Sequence, residues 1–150
     1  MEKEAVRTIA VKLMDKHNLL IKGWKFVFDN AKTRLGNCSH TKKIISLSKN
    51  YLPLVDEKEV IDTILHEIAH ALVGRKQGHN HIWKQQAIEI GCNGQRLYRG
   101  EANIKAKYKG TCPICGKIIK RHRRKNISCG KCCGGIYNPK YLFIWTINND

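Results

Sequence analysis

Residues 65–74 read LHEIAHALVG, with two histidines four apart, His66 and His70, and Glu67 directly after the first. On a helix each residue turns ~100°, so His70 lies about 40° round from His66 and Glu67 about 100° from it, on the same side. Two imidazoles so placed can grip one metal ion, and the carboxylate beside them can take a proton from water activated by that ion. The apolar residues of the stretch, Val60, Ile64, Leu65, Ile68 and Leu72, leave the His/Glu side free to line a cleft. A third ligand is on offer in GHNHIWK (78–84), either His79 or His81.

A second constellation lies further on. Cys112 and Cys115 form one C-x-x-C knuckle and Cys129 and Cys132 another, with thirteen residues between them. Four thiolates at this spacing suit a tetrahedral zinc ion of structural type. Cys133 is a spare thiol, since the two-residue spacing favours Cys132. Cys38 and Cys92 read as small buried hydrophobes.

The composition frames both sites. A chain of 150 residues with 42% hydrophobic content holds one ordinary domain, or a domain with a small appendage. Lys and Arg number 28 against 12 Asp and Glu, a net charge of +16. The excess is concentrated between Ala102 and Asn149, which carry 11 Lys/Arg and no acid. Such a basic block suits a polyanion, with nucleic acid the first candidate. The start, MEKEAVRTIAVKLMDKH, does not have the form of a signal peptide, and no window approaches a membrane span of ~18 apolar residues. A reducing, cytoplasmic setting is therefore expected, in which clustered cysteines bind metal rather than pair as disulfides.

The elements that must position these residues follow from the pattern. Ala5, Ile9, Val11, Leu13 and Leu20 predict an amphipathic first helix, and WKFVFD from Trp24 a strand. The stretch 30–43, NAKTRLGNCSHTKK, reads as a polar connection, and Ile44–Ser48 as a second strand. Asp56, three residues before Glu59, starts a helix that should run to about Val73, with Gly74 as its stop. A loop and another helix, IWKQQAIEIG, come next. The reading divides the chain into a metal-binding domain over 1–101, a basic linker over 102–110 and a ribbon over 111–150. Strands are expected around Ile118 and over 142–147.

Taken in order, RLGNCS, ISLSKNYL, TILHEIAHAL, GHNHIWK and CPICGK…CGKCCGG resemble the SprT-like (Spartan-type) zinc metallopeptidase family. Its third zinc histidine follows a glycine and precedes an aromatic by four positions. Gly78, His79 and Trp83 match that pattern, so the resemblance favours His79 over His81. It implies an α+β fold: a small zincin-like core, helices packed on a short sheet, followed by a zinc ribbon. The strand at 44–48 is expected to edge the cleft.

The functional expectation is a zinc-dependent metalloendopeptidase. His66, His70 and His79 hold a catalytic Zn²⁺, Glu67 acts as general base, and Cys112, Cys115, Cys129 and Cys132 hold a structural Zn²⁺. Lys120, Arg121, Arg123, Arg124 and Lys125 are the expected DNA contacts, made to phosphates with little sequence preference. The resemblance implies substrates that are proteins bound or crosslinked to DNA. The enzyme is expected as a DNA-associated, cytoplasmic monomer with no membrane partner. The rival reading is a non-enzymatic nucleic-acid-binding zinc protein, an accessory or transcription factor whose upper site is structural or degenerate. A metal-dependent nuclease fits less well, because such sites gather several carboxylates and only Glu67 is near.

Overall fold

The computed structural model describes residues 1–96 and 104–150. The chain divides into two compact units, Met1–Ile104 and Lys105–Asp150. It is α+β throughout, and among the described residues no helix is long and apolar enough to cross a membrane.

In the first unit, helix α1 (Lys3–Lys16) buries Val6, Ala10 and Met14, a stripe at four-residue spacing. This corrects the expected face. Ile9 and Leu13 only flank the stripe, while Ala5 and Val11 face solvent. Trp24, just before strand β1 (Lys25–Asp29), and Phe26 and Phe28 within it turn inward, as the alternation predicts. Strand β3 (Ile44–Ser48) pairs parallel to β1 and antiparallel to a third strand, β2 (Gly36–Ser39), giving the order β1-β3-β2. Ile45 and Leu47 enter the core. Ser46 and Ser48, also buried, donate their hydroxyls to Asp29 Oδ2 (2.8 Å) and the Ala31 carbonyl (2.6 Å). Buried hydroxyls so satisfied cost little.

Strand β2 falls inside the stretch read as a polar connection. Its residues are polar because it is an edge strand, half-buried along its length, with packing on one side only. For the same reason β2, and not β3, edges the cleft: β3 is the central strand and is covered on both sides.

Helix α2 (Glu57–Val73) starts where Asp56 Oδ1 accepts the Glu59 backbone N–H at 2.8 Å. Helix α3 (His81–Glu89) is capped by Asn80, whose side-chain oxygen accepts the Trp83 N–H at 3.1 Å. Val60, Ile64 and Ile68 of α2 join the core under the sheet, while Leu65 and Ala69 pack with Trp83, Ala87 and Cys92.

The second unit is an antiparallel sheet of β4 (Tyr108–Thr111), β5 (Ile118–Arg121) and β6 (Ile144–Ile147), in the order β5-β4-β6. One turn of helix, α4 (Gly130–Cys133), carries the second knuckle. The central strand β4 lies largely in residues read as linker. Lysines and a glycine disguise it, and the glycine is required: a Cβ on Gly110 would come within 2.9 Å of the Trp145 ring. The boundary drawn between 101 and 102 lies outside the described residues.

Candidate metal centres and cleft

From the Asp56 cap along α2, positions 56, 59, 63, 66, 67 and 70 recur at helical spacing and line one cleft of about 1250 Å³. Strand β2 and the loop carrying Gly78 and His79 also line it. The side chains of His66, His70 and His79 meet there. His79 Nε2 lies 3.0 Å from the Nε2 atoms of both His66 and His70. Hydrogen bonding does not explain this convergence, because one neutral ring nitrogen either donates once or accepts once. Three lone pairs aimed at a shared cation do explain it. A tetrahedral ion with N bonds of ~2.0–2.1 Å sets its ligand nitrogens about 3.3 Å apart, close to the spacing found. His81 is exposed at the first position of α3 and stands outside the group.

The electrostatics suit ligation. Burial and the neighbouring His79 lower the His66 pKa to about 4, against an opposing charge on Asp62 and a backbone hydrogen bond to Gln95. Burial and the other imidazoles lower His70 to about 4, and burial and Arg96 lower His79. All three are thus held in the neutral form that offers a lone pair. Glu67, only 8% exposed, has its pKa raised to about 8 by burial, with Arg34 opposing.

Three features of the site were not legible from the spacing of histidines. Gly36 lets β2 approach α2 beside the glutamate, where a Cβ would meet Thr63 Cγ2 at 2.6 Å and Glu67 Oε1 at 2.8 Å. Asp62 Oδ1 accepts the Asn93 N–H at 2.7 Å and so ties the loop after α3 to α2 near His66. Trp83 lies against all three imidazoles. Cys38, expected as a buried hydrophobe, is only half-buried: it stands on edge strand β2 and lines the cleft. Burial and Glu67 push its thiol up to about 12.

Gly36→Ala is expected to destabilise the first unit by about 1–3 kcal/mol, the usual cost of overpacking. The new methyl would meet both Thr63 and Glu67, so β2 or these two side chains must shift. Denaturant unfolding measures it, and wild-type stability in this variant would show that β2 is not held tightly against α2.

In the second unit, Cys112, Cys115, Cys129 and Cys132 form one group. Cys112 and Cys132 sulfurs are 3.9 Å apart, and Cys115 and Cys129 sulfurs 3.7 Å. A tetrahedral ion with Zn–S bonds of ~2.3 Å requires about 3.8 Å between sulfurs. Backbone hydrogen bonding from Cys115 and Ile114 lowers the Cys112 thiol, while hydrogen bonding with the neighbouring thiols and desolvation raise that of Cys132, so it is the sulfur spacing that carries the fit to zinc. Cys133 Sγ instead meets Ser128 Oγ at 3.4 Å. Both groups therefore fit zinc.

The five basic residues of the KRHRRK segment are exposed. Lys120 and Arg121 end β5, and the rest follow it. Lys120 Nζ is 3.1 Å from Asp150, and the Arg124 guanidinium lies over the Tyr108 ring at 5.3 Å.

The family model described as SprT-like family matches residues 8–107. The match spans the histidine centre and its cleft, and the cysteine group lies beyond it. No curated protein matches the chain closely enough to count as a relative.

Proposed function

From the membership of this chain in the SprT-like family, whose function is of metallopeptidase type, we propose that it is a zinc-dependent endopeptidase that cleaves proteins bound or crosslinked to DNA. The observation that carries the peptidase reading is the convergence of three neutral imidazoles in an open cleft that also contains a buried carboxylate. A zinc ion held by His66, His70 and His79 supplies Lewis acidity, polarising the scissile carbonyl and lowering the pKa of water.

The remaining chemistry belongs to the chain. Glu67 accepts a proton from the attacking water as the new C–O bond forms. The same carboxyl then returns that proton to the amide nitrogen as the C–N bond breaks. Burial raises the Glu67 pKa and so makes its carboxylate a stronger base, and the charge of a zinc ion at the histidines would favour the ionised form that takes the proton. Among the described residues β2 pairs only with β3, which leaves its outer edge free to hydrogen-bond an extended substrate backbone. The four cysteines hold a second, structural zinc that maintains the ribbon.

The DNA half of the proposal is supported by charge. The segment 102–149 carries 11 Lys/Arg and no acid, and Arg121, Arg123 and Arg124 are exposed. On this reading the enzyme works as a DNA-associated monomer in the cytoplasm, and phosphate contacts give it little sequence preference. Neutralising the three arginines together is expected to flatten the dependence of log affinity on log salt by about two to three, since each phosphate contact contributes ~0.9. DNA stimulation of cleavage is lost with it, while cleavage without DNA is retained. Affinity across a salt series, beside proteolysis with and without DNA, measures both. An unchanged slope would mean that the basic segment is only a solvated surface.

A further inference from the structure

The indole of Trp83 touches every ring of the histidine centre. It stacks on His70 with centroids 5.2 Å apart and planes 25° from parallel. Its centroid is 4.6 Å from that of His66 and 4.7 Å from that of His79, both at steep angles. Trp83 is 1% exposed and belongs to the small core between α2 and α3, so it has little room to move. Its backbone is fixed as well. The Asn80 side chain accepts the Trp83 N–H and donates to Gln77 Oε1 at 2.8 Å, so one residue ties the start of α3 to the loop bearing His79.

We propose that Trp83 is the positioning residue of the zinc centre: a rigid aromatic floor that sets the three imidazoles before the ion arrives and stabilises them once it has. Two physical effects act together. Two of the histidines come from one helix and the third from a loop, and each ring can rotate about its side-chain bonds. A fixed surface in contact with all three removes that freedom in advance, so less ordering is left to oppose binding. An imidazole that has given its lone pair to a cation is also electron-poor, and the electron-rich indole face attracts it more than it attracts the free ring. The indole Nε1 is buried without a hydrogen-bond partner among the described residues. The ring is thus not oriented by its polar atom there, and packing among Leu65, Ala69, Ala87 and Cys92 takes that part.

The inference rests on the zinc reading of the centre. The test uses the full chain, its cysteine site filled and its histidine site stripped, titrated with zinc against a chelator of known affinity. Trp83→Leu is expected to weaken zinc binding about 10–100-fold, the range typical when support outside the direct ligands is lost. Trp83→Phe, which keeps an aromatic ring, should stay within several-fold of wild type. Indole emission of the wild type should change in step with zinc filling, and this change should be absent in Trp83→Phe. Wild-type affinity in Trp83→Leu, or equal losses in the Leu and Phe variants, would overturn the proposal. Should Trp83→Leu fail to fold, the emission titration decides: a wild-type signal indifferent to zinc filling overturns it, and a coincident change supports it. Failure of the wild type itself to bind zinc at the histidines would be a distinct result, and would overturn the underlying reading as well.

Discussion

Glu67→Gln is expected to abolish measurable proteolysis, with a loss of ~10²–10⁴-fold, while zinc content and fold remain those of the wild type. The substitution is nearly isosteric and lies in the middle of α2, whose cap and core residues it does not touch. Burial already opposes the charged form of Glu67, raising its pKa to about 8, so a neutral amide at this position meets no new desolvation cost. What the amide lacks is the capacity to take a proton from water. Elemental analysis, thermal unfolding and cleavage of a DNA-bound protein, run on the same preparation, separate the three quantities. Undiminished cleavage would place the proton acceptor elsewhere in the cleft.

The second large effect is expected at the other metal group. Cys112→Ser should lower zinc from two ions per chain to one and unfold the unit Lys105–Asp150, leaving Met1–Ile104 folded. The buried apolar cluster of that unit consists of Cys112, Cys129 and Phe143, so two of its three side chains are themselves metal ligands. Structural zinc in small modules of this kind supplies ~10–16 kcal/mol, far more than such a core can replace. Elemental analysis reads the ratio, and limited proteolysis reads the loss of the C-terminal unit. A ratio of one in the wild type, unchanged by the substitution, would rule out two independent sites.

The legible parts of the sequence were those in which one physical rule dominates. Spacing on a helix was enough to put His66, Glu67 and His70 on one side of α2, and the Asp56 cap fixed where that helix begins. Two C-x-x-C knuckles announced the cysteine group. The missed elements were governed by tertiary contacts. Strand β2 carries Gly, Asn, Cys and Ser because its surroundings are a cleft and a helix, and no alternation of apolar residues marks it. Strand β4 hides behind lysines and a glycine whose absent side chain makes room for Trp145. Periodicity alone left His79 and His81 open. The family resemblance favoured His79, and the fold turns His79 toward His66 and His70, with His81 starting the next helix. Gly36 shapes the centre through proximity across elements, which spacing along the chain does not encode; spacing marked Trp83 as an aromatic near His79, but its place against all three rings comes from the fold.

The central claim is that three histidines hold the zinc that makes this cleft a peptidase. It is tested most directly by stripping the protein with a chelator and returning zinc stepwise, while following hydrolysis of a DNA-bound protein in wild type and His79→Ala. The account predicts no hydrolysis without metal, recovery in the wild type in step with filling of the histidine site, and no recovery in His79→Ala at the same zinc concentration. Hydrolysis that survives stripping, full recovery in His79→Ala, or an inert wild type with both sites filled would contradict it, the last in favour of a nucleic-acid-binding zinc protein without enzymatic activity.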